Sequence, residues 1–174
     1  LRASDISRPA LHATKTSSVS LGIRFYSLEK HSTPQLSGVI LQSMENSRLV
    51  EAAALARTNA HAPYSNFAVG AALECEDGTV FTGCNVENLS FGLTMCAERV
   101  AIGTAVAAGQ LAYRRIAVVA ATDVPISPCG ACRQVLAEFH PSLKILSATI
   151  DGKTEEFTLD QLLPRASTGI LNRP

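Results

Sequence analysis

No charge of one sign dominates this chain: 15 Lys and Arg face 15 Asp and Glu, for a formal net charge of zero. Nucleic-acid binders usually carry a basic stripe that displaces counterions from phosphate. No such stripe is present, and acids and bases interleave through the C-terminal two-thirds, so a small ligand of little charge is the better expectation. Long hydrophobic runs are also missing. The longest candidate, AIGTAVAAG, holds two glycines and falls well short of the ~20 apolar residues of a helical membrane span. No hydrophobic signal-peptide run is visible, and the five cysteines form an odd set. Reduced thiols open to metal ligation are therefore expected over a disulfide framework. What the chain does have is 47% hydrophobic residues over 174 positions, which suits one globular domain and is too rich for a disordered chain.

Acids are scarce in residues 1–43, where Asp5 and Glu29 stand among many Ser, Thr and Arg residues. That composition reads as a mitochondrial transit peptide or as an N-terminal extension outside the fold, with Arg24-Phe25-Tyr26-Ser27 resembling a processing junction. Location is accordingly expected to be cytoplasmic, or mitochondrial if the segment targets the chain. The folded domain is expected over 44–174. MENSRLVEAAALARTNAHA predicts a helix, with Leu49, Ala52, Ala53 and Ala56 at helical spacing. NFAVGAALEC and TVFTGCNVE predict two strands joined by a turn at Asp77-Gly78. CAERVAIGTAVAAG predicts a helix ended by Gly109, RRIAVVAAT a strand, and PCGACRQVLAEFH a second such helix. LKILSATI and TEEFTL, around Asp151-Gly152, predict two further strands before a short helix at Leu159 to Leu163. The alternation implies an α/β fold, a three-layer α/β/α sandwich around a five-stranded mixed sheet.

Cys96 opens one predicted helix, while Cys129 and Cys132 open another. Both helices follow strands, so their N-termini emerge at one edge of the sheet, where ligands collect. Unpaired N–H groups and the helix dipole favour thiolates there, the form that binds zinc. The pair Cys129-x-x-Cys132 alone suits a disulfide oxidoreductase, a structural zinc knuckle or a catalytic metal site. With Cys96 it makes three ligands, which leave a fourth tetrahedral position for water. Cys75 and Cys84 fall in predicted strands and read as core residues. Glu98, in the same first turn as Cys96, is placed to move protons to and from that water. Arg99, one turn from Cys96, can donate to a thiolate and offset the charge of the site.

Cys96-Ala97-Glu98 together with Pro128-Cys129-x-x-Cys132 resembles the zinc site of the cytidine deaminases. Cys rather than His at position 96, in a chain this short, is similar to the small homotetrameric branch. The resemblance spans about residues 44 to 164. It implies Zn2+ on Cys96, Cys129 and Cys132, one ion per subunit, with Glu98 as proton shuttle. It further implies that Asn85 and Glu87 of Asn85-Val86-Glu87-Asn88 hold the sugar hydroxyls, that Phe67 lies beside the pyrimidine, and that the Ala97 backbone helps hold the base. The implied reaction is hydrolytic deamination of cytidine and deoxycytidine to uridine and deoxyuridine plus ammonia, in pyrimidine salvage.

Two positions depart from the family pattern. Phe91 stands where relatives usually carry Tyr, and Ser167 follows Leu162-Leu163-Pro164 where relatives commonly carry Phe. In the tetramers these aromatics reach a neighbouring subunit's pocket, so Phe91 keeps the ring without its hydroxyl and Ser167 loses the stacking surface. Tyr64 and Ser65 resemble the family's Ala-Pro-Tyr-Ser loop, where packing is the expected role. A blasticidin S-type deaminase shares the zinc motifs, but Glu87 favours a nucleoside. Deamination of cytosines in RNA or DNA would need the missing basic groove. A non-catalytic zinc protein has no need of Glu98, and a thiol–disulfide oxidoreductase has none of Cys96-Ala97-Glu98.

Overall fold

The computed structural model describes residues 34–166. The leader-like composition of 1–33, the junction at Arg24–Ser27, and Ser167 lie outside the described residues. Helix α1, Pro34–Arg57, starts earlier than the position near 44 that the sequence suggests. Residues 34–43 are helical, and Val39, Ile40 and Leu41 are exposed. Further along, Leu49, Ala53 and Ala56 recur at helical spacing and are buried, so the predicted face is the one that meets the sheet.

Five strands follow: β1 Val69–Cys75, β2 Val80–Cys84, β3 Tyr113–Ala120, β4 Lys144–Thr149 and β5 Thr154–Thr158. They form one mixed sheet in the order β2-β1-β3-β4-β5, with β3 and β4 parallel and the other pairs antiparallel. Interior strand β1 is buried at every residue, whereas edge strands β2 and β5 are largely open. A strand covered on both faces reads as a near-continuous apolar run, which makes VGAALEC legible despite Glu74, whose charge is paired with Arg115.

The side chains alternate between two cores. Leu49 and Ala53 of α1 pack with Ala72, Ala117, Val119, Leu146 and Ala148 on one face. On the other, α2 (Ala97–Ala107) and α3 (Gly130–Phe139) cover Ala71, Leu73, Ile116, Val118 and Ile145. The short α4, Leu159–Leu162, follows β5 and opens with a reciprocal capping box between Thr158 and Gln161. Gly78 (φ 84°) and Gly152 (φ 95°) occupy the two hairpin turns, and Gly109 (φ 83°) follows the end of α2, a left-handed stop at the expected place.

Connectivity explains why two helix starts meet. β2 and β3 are each antiparallel to β1 and hence parallel to one another. The crossovers β2-α2-β3 and β3-α3-β4 therefore begin at the same end of the sheet, and α2 and α3 both present their N-termini there.

Two predicted strands are shorter than expected. β1 begins at Val69, leaving Phe67 before the strand and 39% exposed, so its ring is not a core residue. β2 stops at Cys84 because the backbone turns away: Val86 bridges instead to His61 and Met95. A single 3-10 turn, Phe91–Leu93, then precedes Cys96; it lacks the length for a periodic signal.

Candidate metal centre

Cys96 and Cys129 are the N-caps of α2 and α3, both in extended backbone conformation and neither supplying a side-chain cap. Their thiols are thus free to turn toward each other, and the Sγ atoms lie 3.8 Å apart. Cys132, in the first turn of α3, is buried with its Sγ 3.5 Å from that of Cys129. All three sulfur atoms lie within 4.8 Å of one another. A tetrahedral zinc ion with Zn–S bonds of about 2.3 Å has sulfur–sulfur edges of about 3.8 Å, so the donors fit such an ion in type and spacing. Cys75, buried in β1, and Cys84, half-buried at the end of β2, stand outside the cluster.

The electrostatics match that chemistry. Hydrogen bonding with Cys132, joined by Arg99 and Cys129, holds the Cys96 thiol down at about 5 against the opposing effect of burial. Cys132 is pushed up, first by that same bond to Cys96 and then by burial. The negative charge is thus favoured on Cys96. Arg99 donates to the Thr94 carbonyl at 2.7 Å and lies 3.7 Å from the Cys96 sulfur. Its Nε is buried without a partner among the described residues.

Glu98 follows Ala97 in the first turn of α2, and both are buried, Glu98 at 4% exposure and Ala97 at 0%. Burial is the main cause that raises the Glu98 carboxyl above its ordinary value, and the charge on Cys96 adds to it. Burial of this kind disfavours the charged carboxylate relative to the protonated acid.

The segment carrying Asn85 and Glu87 is built by a loop across from it. His61 joins it at both ends: His61 N–H donates to the Asn85 carbonyl, and Glu87 N–H donates to the His61 carbonyl. The Asn85 amide is engaged locally, accepting from Val69 N–H and donating to the Phe67 carbonyl, both at 2.8 Å. It fixes the chain around Phe67, and its second N–H is left over. Glu87 accepts from Tyr64 N–H at 2.9 Å, from Ser65 N–H at 3.2 Å and from the Ser65 hydroxyl. These bonds, the hydroxyl's first, hold its carboxyl below the ordinary value. Ser65 therefore contacts a candidate site residue and does more than pack. Its hydroxyl also accepts from Phe67 N–H at 3.0 Å, and only the polarity of the Tyr64-Ser65-Asn66 loop hinted at this in sequence.

Phe91 does not reach the thiols. It is 72% exposed and meets Tyr64 edge to face, ring centroids 5.8 Å apart at 69°. Tyr64, Ser65, Glu87, Phe91 and Thr94 line an open cavity of about 330 Å3. Sequence reasoning also passed over Arg133, whose guanidinium binds three oxygen atoms around the loop before Cys129. Its place beside Cys132 was the one available sign.

Residues 43–147 match the family described as the cytidine and deoxycytidylate deaminase zinc-binding region. The chain is 48% identical over 124 residues to a cytidine deaminase of Sporosarcina psychrophila, covering 71% of this chain and 91% of that protein. Identity to a cytidine deaminase of Halalkalibacterium halodurans is also 48%, over 126 residues and 96% of its length, or 72% of this chain. The crystal structure of a cytidine deaminase from Burkholderia pseudomallei superposes with a TM-score of 0.66 at 51% identity, covering 68% of this chain and 95% of that one.

Proposed function

Because the chain belongs to the cytidine and deoxycytidylate deaminase zinc-binding family, we propose that it converts cytidine and deoxycytidine, with water, to uridine and deoxyuridine plus ammonia, Glu98 carrying the protons. The observation that carries this reading is the convergence of three thiols at zinc spacing with a buried carboxyl one turn away. Zinc, when bound, supplies a Lewis acid that acidifies water at its open position.

Cys96, Cys129 and Cys132 hold the ion, and Arg99 with the two helix N-termini offsets the charge of three thiolates. Glu98 accepts a proton from the attacking water and gives it to N3 of the pyrimidine as C4 is attacked. It then takes the second proton and delivers it to the departing amino group. Its burial supports both steps, because desolvation raises the carboxyl above its ordinary value and favours the protonated form it must pass through. Phe67 flanks the base, its exposed ring leaving a face free for stacking, and the Ala97 backbone helps hold the base. Glu87 and the spare N–H of Asn85 take the sugar hydroxyls.

The active form is a homotetramer in this reading, supported by the exposure of Leu89, Phe91, Leu93 and Met95 just before Cys96. Phe91 reaches the neighbouring subunit's pocket. Among the described residues no helix is long and apolar enough to cross a membrane. The enzyme acts in the cytoplasm, or in mitochondria if the Ser- and Arg-rich residues 1–43 target it there, with the catalytic domain assigned to 44–174.

Ammonia release from cytidine, deoxycytidine, CMP and blasticidin S, with and without a zinc chelator, tests the substrate class. Glu98→Gln should keep its zinc and lose at least ~100-fold in kcat. Near-normal turnover in that variant rejects the shuttle.

A further inference from the structure

We propose that Arg133 is a positioning residue of the metal centre, holding the Cys129 arm by tying the backbone before it to the end of α4. Nε of Arg133 donates to the Pro128 carbonyl at 2.6 Å. One terminal nitrogen donates to the Ser127 hydroxyl at 2.9 Å, and the other to the Leu162 carbonyl at 2.9 Å. None of these contacts is to a sulfur atom, so Arg133 acts on the thiols through the chain that carries them. This separates it from Arg99, which lies against the Cys96 sulfur itself.

The loop needs such a brace. Between the end of β3 at Ala120 and the start of α3 at Gly130 the chain has no regular structure. Among the described residues, and apart from helix and strand ladders, the hydrogen bonds made by 125–128 are the two to Arg133. Pro128 is buried and has no N–H, which leaves its carbonyl as a buried acceptor in need of a donor. Cys129 is the N-cap of α3, but its side chain makes no capping hydrogen bond. At the far end, the Leu162 carbonyl is one of the unpaired acceptors that close a helix, and α4 stands on β5 through its capping box. Charge-assisted bonds are the stronger kind, and a planar guanidinium reaches three acceptors where an ammonium cannot match the fork. Groups that orient a ligand without touching the metal change its affinity by about 10–100-fold.

This inference rests on the zinc reading of the three thiols, so zinc in the full-length parent is measured first. A parent that binds no zinc rejects the site itself; a zinc-loaded parent makes the variants decisive for Arg133. The measurement is zinc release to a chromogenic chelator well below the melting temperature, with the thiolate-to-metal absorption of the cobalt-substituted protein as a second readout. Arg133→Met should release zinc about 10–100-fold faster and shift the cobalt bands, while Arg133→Lys should recover only part of the difference. A purely structural role would lower the melting temperature and leave release from the folded protein and the cobalt bands unchanged, and that result overturns the proposal. If Arg133→Met does not fold, Ser127→Ala decides. Losing one of the three bonds should speed release about fivefold, and a rate equal to the parent's overturns the assignment.

Discussion

Replacing Gly83 with Ala should damage the active site from beneath it. Gly83 lies in edge strand β2, directly under the first turn of α2. A Cβ there would stand 2.4 Å from both the Ala97 carbonyl oxygen and the Ala101 nitrogen, and 3.0 Å from the Val100 carbonyl carbon. These are backbone atoms, so no rotamer change relieves the contact. Ordinary van der Waals contact begins at 3.4 Å, so α2 must move away by about 1 Å, a shift of the size that costs roughly 100-fold in rate when it misplaces reacting groups. The moving turn carries Cys96 and Glu98, and overpacking of this kind costs about 1–3 kcal/mol of stability. At this chain length that lowers Tm by roughly 4 °C per kcal/mol. The assay is cytidine deamination by folded, zinc-quantified protein, set beside thermal melting. Gly70→Ala is the control, because its Cβ would meet the Ala53 carbonyl oxygen at 2.0 Å and the Arg57 nitrogen at 2.6 Å, both in α1 on the opposite face. It should destabilise the fold without affecting zinc retention. Turnover in folded Gly83→Ala within twofold of the parent, or equal zinc loss in Gly70→Ala, would refute the reasoning.

Two predictions concern the sugar-binding side. Ser65→Ala removes the hydroxyl that joins Glu87 to Phe67 N–H, so KM for cytidine should rise about fivefold, the worth of one hydrogen bond, with kcat little changed; an unchanged KM removes Ser65 from substrate positioning. The Glu87 carboxyl sits below its ordinary value of 4.5, chiefly through Ser65. Its lock on the 64–65 loop is therefore fully present above that value and is lost as pH falls through the depressed one. KM attributable to Glu87 should stay flat on acidification to about pH 5 in the parent, and a rise already near neutrality would contradict the assignment.

The legible parts of this molecule are those where one physical requirement maps onto a short stretch of chain. β1 is covered on both faces, so VGAALEC is apolar or small except at Glu74, which is paired with Arg115, and the run is visible without its neighbours. The stops at Gly78, Gly109 and Gly152 are visible because positive φ favours glycine. The thiols are visible because zinc accepts few donor types and all three sit at helix starts. The early start of α1 is different: Val39 to Leu41 remain exposed, so no buried face there marks the helix in the sequence.

What stayed hidden is support between distant segments. Arg133 reads as a polar residue after a ligand, because its acceptors are a hydroxyl six residues back and carbonyl groups whose availability no side chain announces. Ser65 reads as loop polarity because its partner lies 22 residues on. Phe67 reads as part of a strand until Asn85 is seen to hold its carbonyl outside the ladder. In each case a side chain satisfies a backbone group exposed by the loss of regular structure, a demand created only when the chain folds. Motifs identify which atoms meet the substrate and metal; the fold decides which other residues hold those atoms still. Substitutions at Arg133, Ser65 and Gly83 consequently probe the second set while leaving Cys96, Glu98, Cys129 and Cys132 in place.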